Sequence, residues 1–200
     1  MFAGHFGLAA AVKAKEKDIP VWALMLGTQM LDIIFVPLFL SGKETIDPVE
    51  GDGYGGALIH ADYTHSLLGA LIISLLAALI GSRVWSKRTG AVLGLVVFSH
   101  WLLDLIVHRP DLPILPGNRG NLPLLGFGLW QYPAVSAAVE AVLIAAGFLL
   151  YFRSAVNRAK DSRGIGTSGS PARRMFWAYA AAAAMGILLL MSLLSDTLGF

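Results

Sequence analysis

The chain has 200 residues, 56% of them hydrophobic and only 14% charged. Its mean hydropathy of +0.67 excludes a soluble globular domain of this size. A net charge of +2 is too small a bias to imply nucleic-acid binding, and the basic residues favour anionic lipid headgroups instead. With no cysteine in the chain, disulfides and thiolate metal ligation are ruled out, which leaves histidine and carboxylates as the strong ligand types.

In chain order, the first apolar stretch covers 1–12 and ends in Lys13, Lys15 and Lys17. A secretory signal places its basic residues before the apolar run, so this segment is expected to be retained, as a short re-entrant helix carrying His5. Apolar runs follow at 20–40, 65–82, 90–108, 129–152 and 175–195, each near the roughly 20 residues that a helix needs to cross a bilayer. The expectation is an all-α, polytopic membrane bundle of five transmembrane helices plus the re-entrant one. Residues 1–152 form the membrane-embedded domain, 153–174 a basic cytoplasmic linker that includes a flexible Gly/Ser-rich stretch at 164–171, and 175–200 the last transmembrane helix. Pro37 is expected to kink the first span.

Charge sets the orientation. The segments Arg83–Arg88 and Arg153–Arg174 hold nine basic residues against one acid, whereas the 41–63 loop holds five acids against Lys43. By the positive-inside rule the basic segments are cytoplasmic, and the acidic 41–63 loop and the C-terminus are outside. The expected location is the inner, cytoplasmic membrane of a bacterium, as a multi-pass protein.

All five histidines, His5, His60, His65, His100 and His108, lie at or inside apolar segments, and Asp32, Asp104 and Glu140 sit within the apolar runs themselves. An ionisable group at mid-membrane costs about 2.5–3.5 kcal/mol on insertion scales, so such acids need partners. At 1.5 Å per residue from the cytoplasmic boundaries, Asp32, His65, His100, Asp104 and Glu140 fall at depths of roughly 15–27 Å, and His5 at roughly 12 Å. His100, Asp104 and His108 recur at i, i+4 and i+8, within an arc of about 80° on one helix face. Asp62 is expected to cap the second span, which would aim His65 and the free helix N–H groups at the outer cavity. His60 and Asp62 are candidates for the proton acceptor, or for groups that orient the metal ligands from behind. His108, Arg109 and Arg119 are candidates for substrate contacts, the arginines as bidentate phosphate ligands. The loop 110–128, rich in proline and glycine, is expected to be an irregular lid or a rigid connector.

Four pieces carry a resemblance: Gly4-His5, Leu31-Asp32-Ile33, HADYTHSLL at 60–68, and SHWLLD at 99–104 followed by LPILP. In order and spacing they resemble the bacterial family of LexA-binding, inner-membrane-associated metal-dependent hydrolases, itself distantly similar to zinc-dependent phospholipase C and P1-type nucleases. The likeness covers roughly residues 4–116. It implies that His5, Asp32, His65, His100 and Asp104 are metal ligands and that His60 matches a frequent histidine of the family. Family members often have Asp-x-Asp where this chain has Asp32-Ile33-Ile34. The phospholipase-like enzymes add a late His-x-x-x-Glu, of which Ser136–Glu140 keeps only the acid, Glu140, as a further ligand candidate.

The expected cofactor is a divalent metal, zinc fitting an imidazole-rich set best, with manganese or iron as alternatives. The expected activity is hydrolysis of a phosphoester or lipid-type bond near the outer leaflet, with membrane lipids and a small-molecule or lipid substrate as partners. Two other classes use the same residues: a permease, with His and Asp lining an ion or proton pathway, and a structural or regulatory membrane protein with a structural metal.

Overall fold

Long apolar runs that lack internal glycine–proline pairs satisfy their backbone polar groups only within a helix when water is absent, and each run becomes one. The computed structural model describes residues 2–49, 56–161 and 170–198. Helices occupy Phe2–Lys15 (α1), Val21–Thr28 (α2), Met30–Leu40 (α3), Leu67–Val84 (α4), Lys87–Val107 (α5), Pro133–Lys160 (α6) and Pro171–Leu198 (α7). Helix continues past the apolar runs at both ends of the expected 153–174 linker. Residues 164–169 of its Gly/Ser-rich stretch lie outside the described residues, as do Glu50 and Asp52 of the acidic loop.

Helices α4, α5, α6 and α7 are each long and apolar enough to cross a membrane, and α2 with α3 makes a fifth candidate if the pair is one span. That pair is bent by 50°. The bend lies at Gln29 (φ −111°, ψ 7°), ahead of Asp32, and not at Pro37, which sits inside an unbroken α3. The cause is local: the Gln29 N–H bonds Leu26 O at 3.1 Å, an i−3 contact that interrupts the i−4 ladder. Beyond the helices, the 41–63 region forms a small antiparallel hairpin of Thr45–Pro48 (β1) and Ala57–His60 (β2), in register Thr45↔His60 and Ile46↔Ile59.

Helix α1 lies along α6 at very close range. A Cβ on Gly147 would run into the carbonyl of Gly7, and one on Gly7 would come within 2.8 Å of Leu143 O. Only glycine allows that approach. Ser154 Oγ donates to Ala14 O at 2.7 Å, so the two helices run parallel and bring their basic ends together. Arg174 Nε donates to Ala159 O at 3.3 Å, and Arg88 pairs with Glu16 at 3.0 Å. The start of α7 and the α4–α5 turn therefore join the same basic end.

Outward faces are apolar. Leu71, Leu75 and Leu79 on α4 and Ile187, Leu190 and Leu194 on α7 are all exposed. Only 22% of the most hydrophobic stretch of either helix is buried within the fold. Apolar faces of this extent suit lipid, not water, and the architecture is that of a membrane-type helical bundle.

Candidate metal centre

Four elements deliver the ionisable side chains to one place. Helix α5 presents His100 and Asp104 one turn apart, and His108, its C-cap, donates its N–H to Asp104 O at 2.8 Å. Helix α3 carries Asp32 in its first turn. The turn before α4 carries His65, held to α5 because Trp101 Nε1 donates to His65 O at 2.8 Å. The glycine contact with α6 sets α1 so that His5 stacks on His100, with ring centroids 4.0 Å apart and planes 11° from parallel.

The four imidazoles aim Nε2 at two carboxylates. Asp104 Oδ2 lies 2.9 Å from His100 Nε2, 3.6 Å from His65 Nε2 and 3.8 Å from His108 Nε2, while its Oδ1 lies 3.2 Å from His5 Nε2. Asp32 Oδ1 lies 3.3 Å from His65 Nε2 and 3.5 Å from His100 Nε2. The Nε2 atoms of His65 and His100 are 3.2 Å apart. His5, His65, His100, Asp104 and His108 are all buried. Asp32 is the open member, with 39% of its side chain exposed against 4% for Asp104.

The opposite ring nitrogens of three histidines are tied back to the protein. His100 Nδ1–H donates to the carbonyl of Thr28 at 2.6 Å, one of the carbonyls that the end of α2 leaves without an intrahelical partner. His108 Nδ1–H donates to Asp111 Oδ1 at 2.9 Å. His65 Nδ1 is 2.9 Å from the Thr64 hydroxyl. That hydroxyl lies 3.0 and 3.1 Å from the two oxygens of buried Glu44. Its single proton goes to the carboxylate, so it accepts from His65. In each case the proton sits on Nδ1 and the Nε2 lone pair faces the cluster, an arrangement in which outer hydrogen bonds fix a metal-binding tautomer.

These donors fit a metal ion. Zinc–nitrogen and zinc–oxygen bonds of about 2.0–2.1 Å in a tetrahedron place ligand atoms about 3.3–3.4 Å apart. Among Asp32 Oδ1, His65 Nε2 and His100 Nε2 the separations are 3.2, 3.3 and 3.5 Å, and Asp104 Oδ2 lies 2.9 Å from His100 Nε2 and 3.6 Å from His65 Nε2. Two lone pairs facing each other at 3.2 Å are unfavourable without a cation or a proton between them. Buried His and Asp groups here can hold a metal ion: Asp32, His65 and His100 form one set, and His5, His100 and Asp104 another.

A cavity of about 180 Å³ opens over the cluster, walled by Phe35, Ile59 and Trp130 as well as by His5, Asp32, His65, Asp104 and His108. The remaining candidates lie elsewhere. His60 sits on β2, its Nε2 3.1 Å from Asp47 and its side chain 41% exposed. Asp62 is half-buried, and its carbonyl accepts from Gly117 N at 2.9 Å. Glu140 is fully buried on α6 but joins neither ligand set nor the cavity wall among the described residues. Arg109 is half-buried and Arg119 exposed, and neither lines the cavity.

Asp62 is not the cap of α4. Ser66 is, accepting from Gly69 N at 3.1 Å, because the chain makes a further turn after Asp62 before the helix begins. Nor do the first N–H groups of α4 face the cavity: Leu67 N and Leu68 N donate to Pro113 O and Ile114 O of the proline-rich loop. Sequence reasoning passed over Glu44, Thr64 and Asp111. Asp111 was legible as an acid three residues after His108, and Thr64 as the neighbour of His65. Glu44 carried no local signal. Comparison with protein-family models, with curated proteins and with solved structures finds no match.

Proposed function

We propose that the protein is a membrane-embedded, metal-dependent hydrolase of the LexA-binding, inner-membrane-associated type, with α1 as a re-entrant half-helix beside five spans, α2 and α3 together forming the first. The basic end faces the cytoplasm and the cavity opens toward the outer leaflet, following the positive-inside rule. The observation that carries this reading is the convergence of four imidazole Nε2 atoms on Asp32 and Asp104 beneath an open cavity. A ligand set closed on all sides would suit a purely structural metal; here the cavity reaches the donor atoms.

In this reading Asp32, His65 and His100 would hold the ion, zinc by the imidazole-rich donor set, with a position open to the cavity, and Asp104 would anchor His100 and His5 beside it through its two oxygens. Such an ion would supply Lewis acidity toward a phosphoryl or acyl oxygen and would acidify water. Asp32 Oδ1 faces the two imidazoles, which leaves Oδ2 of this half-exposed carboxylate to accept a proton. It is better placed for that role than His60 or Asp62, which lie off the cavity wall. His108, with its ring 4.3 Å from that of Trp130, presents an edge to the substrate, and Arg109 and Arg119 extend the binding surface beyond the cavity. Among the described residues no lysine or arginine lines the cavity, so the charge of a phosphoester would fall to the ion. About 180 Å³ amounts to roughly six water volumes. That admits the reacting group of a lipid or small phosphodiester and leaves the rest of the molecule outside.

The test is turnover. The full chain, reconstituted in phosphatidylglycerol vesicles with zinc, is assayed on a chromogenic phosphodiester and on the lipid itself. Wild-type activity that a chelator abolishes, and that Asp104→Asn lowers at least about a hundredfold, is the expected result. Activity indifferent to both would overturn the reading.

A further inference from the structure

At the basic end of the bundle, remote from the histidines, a second cavity of about 380 Å³ opens between the end of α1 and the last turns of α6. Four cations line it, Lys15, Lys17, Arg153 and Arg158, against a single acid, Asp161. On α6 the residues 153, 154, 157 and 158, with the C-cap Asp161, share one helix face by their i, i+4 spacing, and the end of α1 brings Lys15 and, just beyond it, Lys17 to that face because the glycine contact holds the two helices parallel.

The floor of this cavity is built. Ser154 donates to Ala14 O at 2.7 Å and accepts from Arg158 Nη1 at 2.7 Å. One guanidinium is thereby fixed in place with other donors still to use. The side chains of Lys15, Lys17 and Arg153 make no hydrogen bond or ion pair among the described residues, and the Lys17 carbonyl accepts from Lys13 Nζ at 2.8 Å. Four cations drawn together around a concavity without matching acids are the arrangement that binds an anion, and arginine matches phosphate in bidentate fashion.

The wall also says which kind of phosphate. Leu150 lines the cavity, and the α6 surface leading away from it exposes Leu149, Leu150 and Val142. A phosphate held by the cations would therefore have an apolar helix face running from it in the direction of the bilayer interior. At about 380 Å³, roughly a dozen water volumes, the cavity takes a phosphate with a small polar headgroup.

We propose that this cavity binds the phosphate of an anionic phospholipid headgroup, with Lys15, Lys17, Arg153 and Arg158 as its ligands and the acyl chain lying along α6. The site is independent of the metal chemistry and rests only on the bundle spanning a membrane.

The experiment measures binding of three probes to the full chain in a neutral maltoside detergent by titration calorimetry: dihexanoyl-phosphatidylglycerol, dihexanoyl-phosphatidylcholine and inorganic phosphate. Phosphatidylglycerol should bind, and its affinity should fall about tenfold or more in the Lys17→Gln/Arg153→Gln double variant. It should stay within about twofold in Lys160→Gln, which removes a neighbouring cation outside the cavity. If the double variant fails to fold, the exposed Lys17→Gln alone gives the smaller loss. Equal losses in Lys160→Gln, or equal binding of phosphatidylcholine, would overturn the site. Inorganic phosphate that binds as tightly and displaces the lipid would assign it to a free anion and overturn the lipid.

Discussion

Thr64 stands between a buried carboxylate and an imidazole, and its one proton decides which ring nitrogen of His65 faces the cluster. Because Glu44 takes that proton, His65 must donate through Nδ1. Thr64→Val keeps the shape and removes the acceptor. It is expected to weaken metal affinity by about 10–100-fold, as loss of an outer hydrogen bond to a ligating histidine does, whereas Thr64→Ser should restore most of it. Competition against a chelator of known affinity checks this, and an unchanged affinity in Thr64→Val would remove the hydroxyl from the account. The need of a buried charge for partners made part of the site legible in the sequence. His5, Asp32, His65, His100 and Asp104 stood out because an ionisable group within an apolar run is costly without a partner, and the fold brings all five together. Glu44 lies in a loop with no local signal, and although Asp111 stands three residues after His108, only the fold reveals that both acids are buried.

Among the elements, α1 matters most for its length. At 14 residues it reaches about 21 Å, too short to span, and it delivers His5 to mid-bundle only because Gly7 and Gly147 let it settle on α6. Gly147→Val should push α1 outward and separate His5 from Asp104. The expected outcome is a lowered thermal midpoint together with a reduced metal content. Ser66→Ala, by contrast, removes the cap of α4 and should cost about 1 kcal/mol of stability while leaving the metal content unchanged. Thermal unfolding paired with elemental analysis separates the two, and equal metal loss in both variants would mean that α1 plays no special part. The helices themselves could be read from uninterrupted apolar runs. The bend could not, because proline draws the eye to position 37 while the break comes from the backbone at Gln29. The hairpin was also hidden, since its strands of four residues are too short to show an alternating pattern.

At the scale of the whole molecule, one end of the bundle gathers Lys13, Lys15, Lys17, Arg88, Arg158, Lys160 and Arg174, while the opposite part holds the hairpin and the cavity with its histidines. This polarity was legible as a charge count along the loops, and the packing of α1 against α6 turns it into a feature of the folded bundle. The orientation reading follows from it. Because the chain has no cysteine, single cysteines report without background. Lys160→Cys should be labelled by a membrane-impermeant maleimide only after the cells are opened, and Ser41→Cys in intact spheroplasts. The reverse pattern would invert the proposed topology. What the charge pattern could not supply was the identity of the groups that orient the ligands, which come from segments far apart in the chain: Thr28, Glu44 and Asp111.

Whether this cluster holds a metal ion is decided by elemental analysis of the detergent-purified chain by mass spectrometry, comparing wild type with His100→Ala and Asp104→Ala. Stoichiometric divalent metal is expected in the wild type and its loss in both variants, with each variant still folded by circular dichroism. A wild-type protein that carries no metal even after reconstitution, or variants that retain it in full, would mean that these histidines and aspartates do not form a metal site.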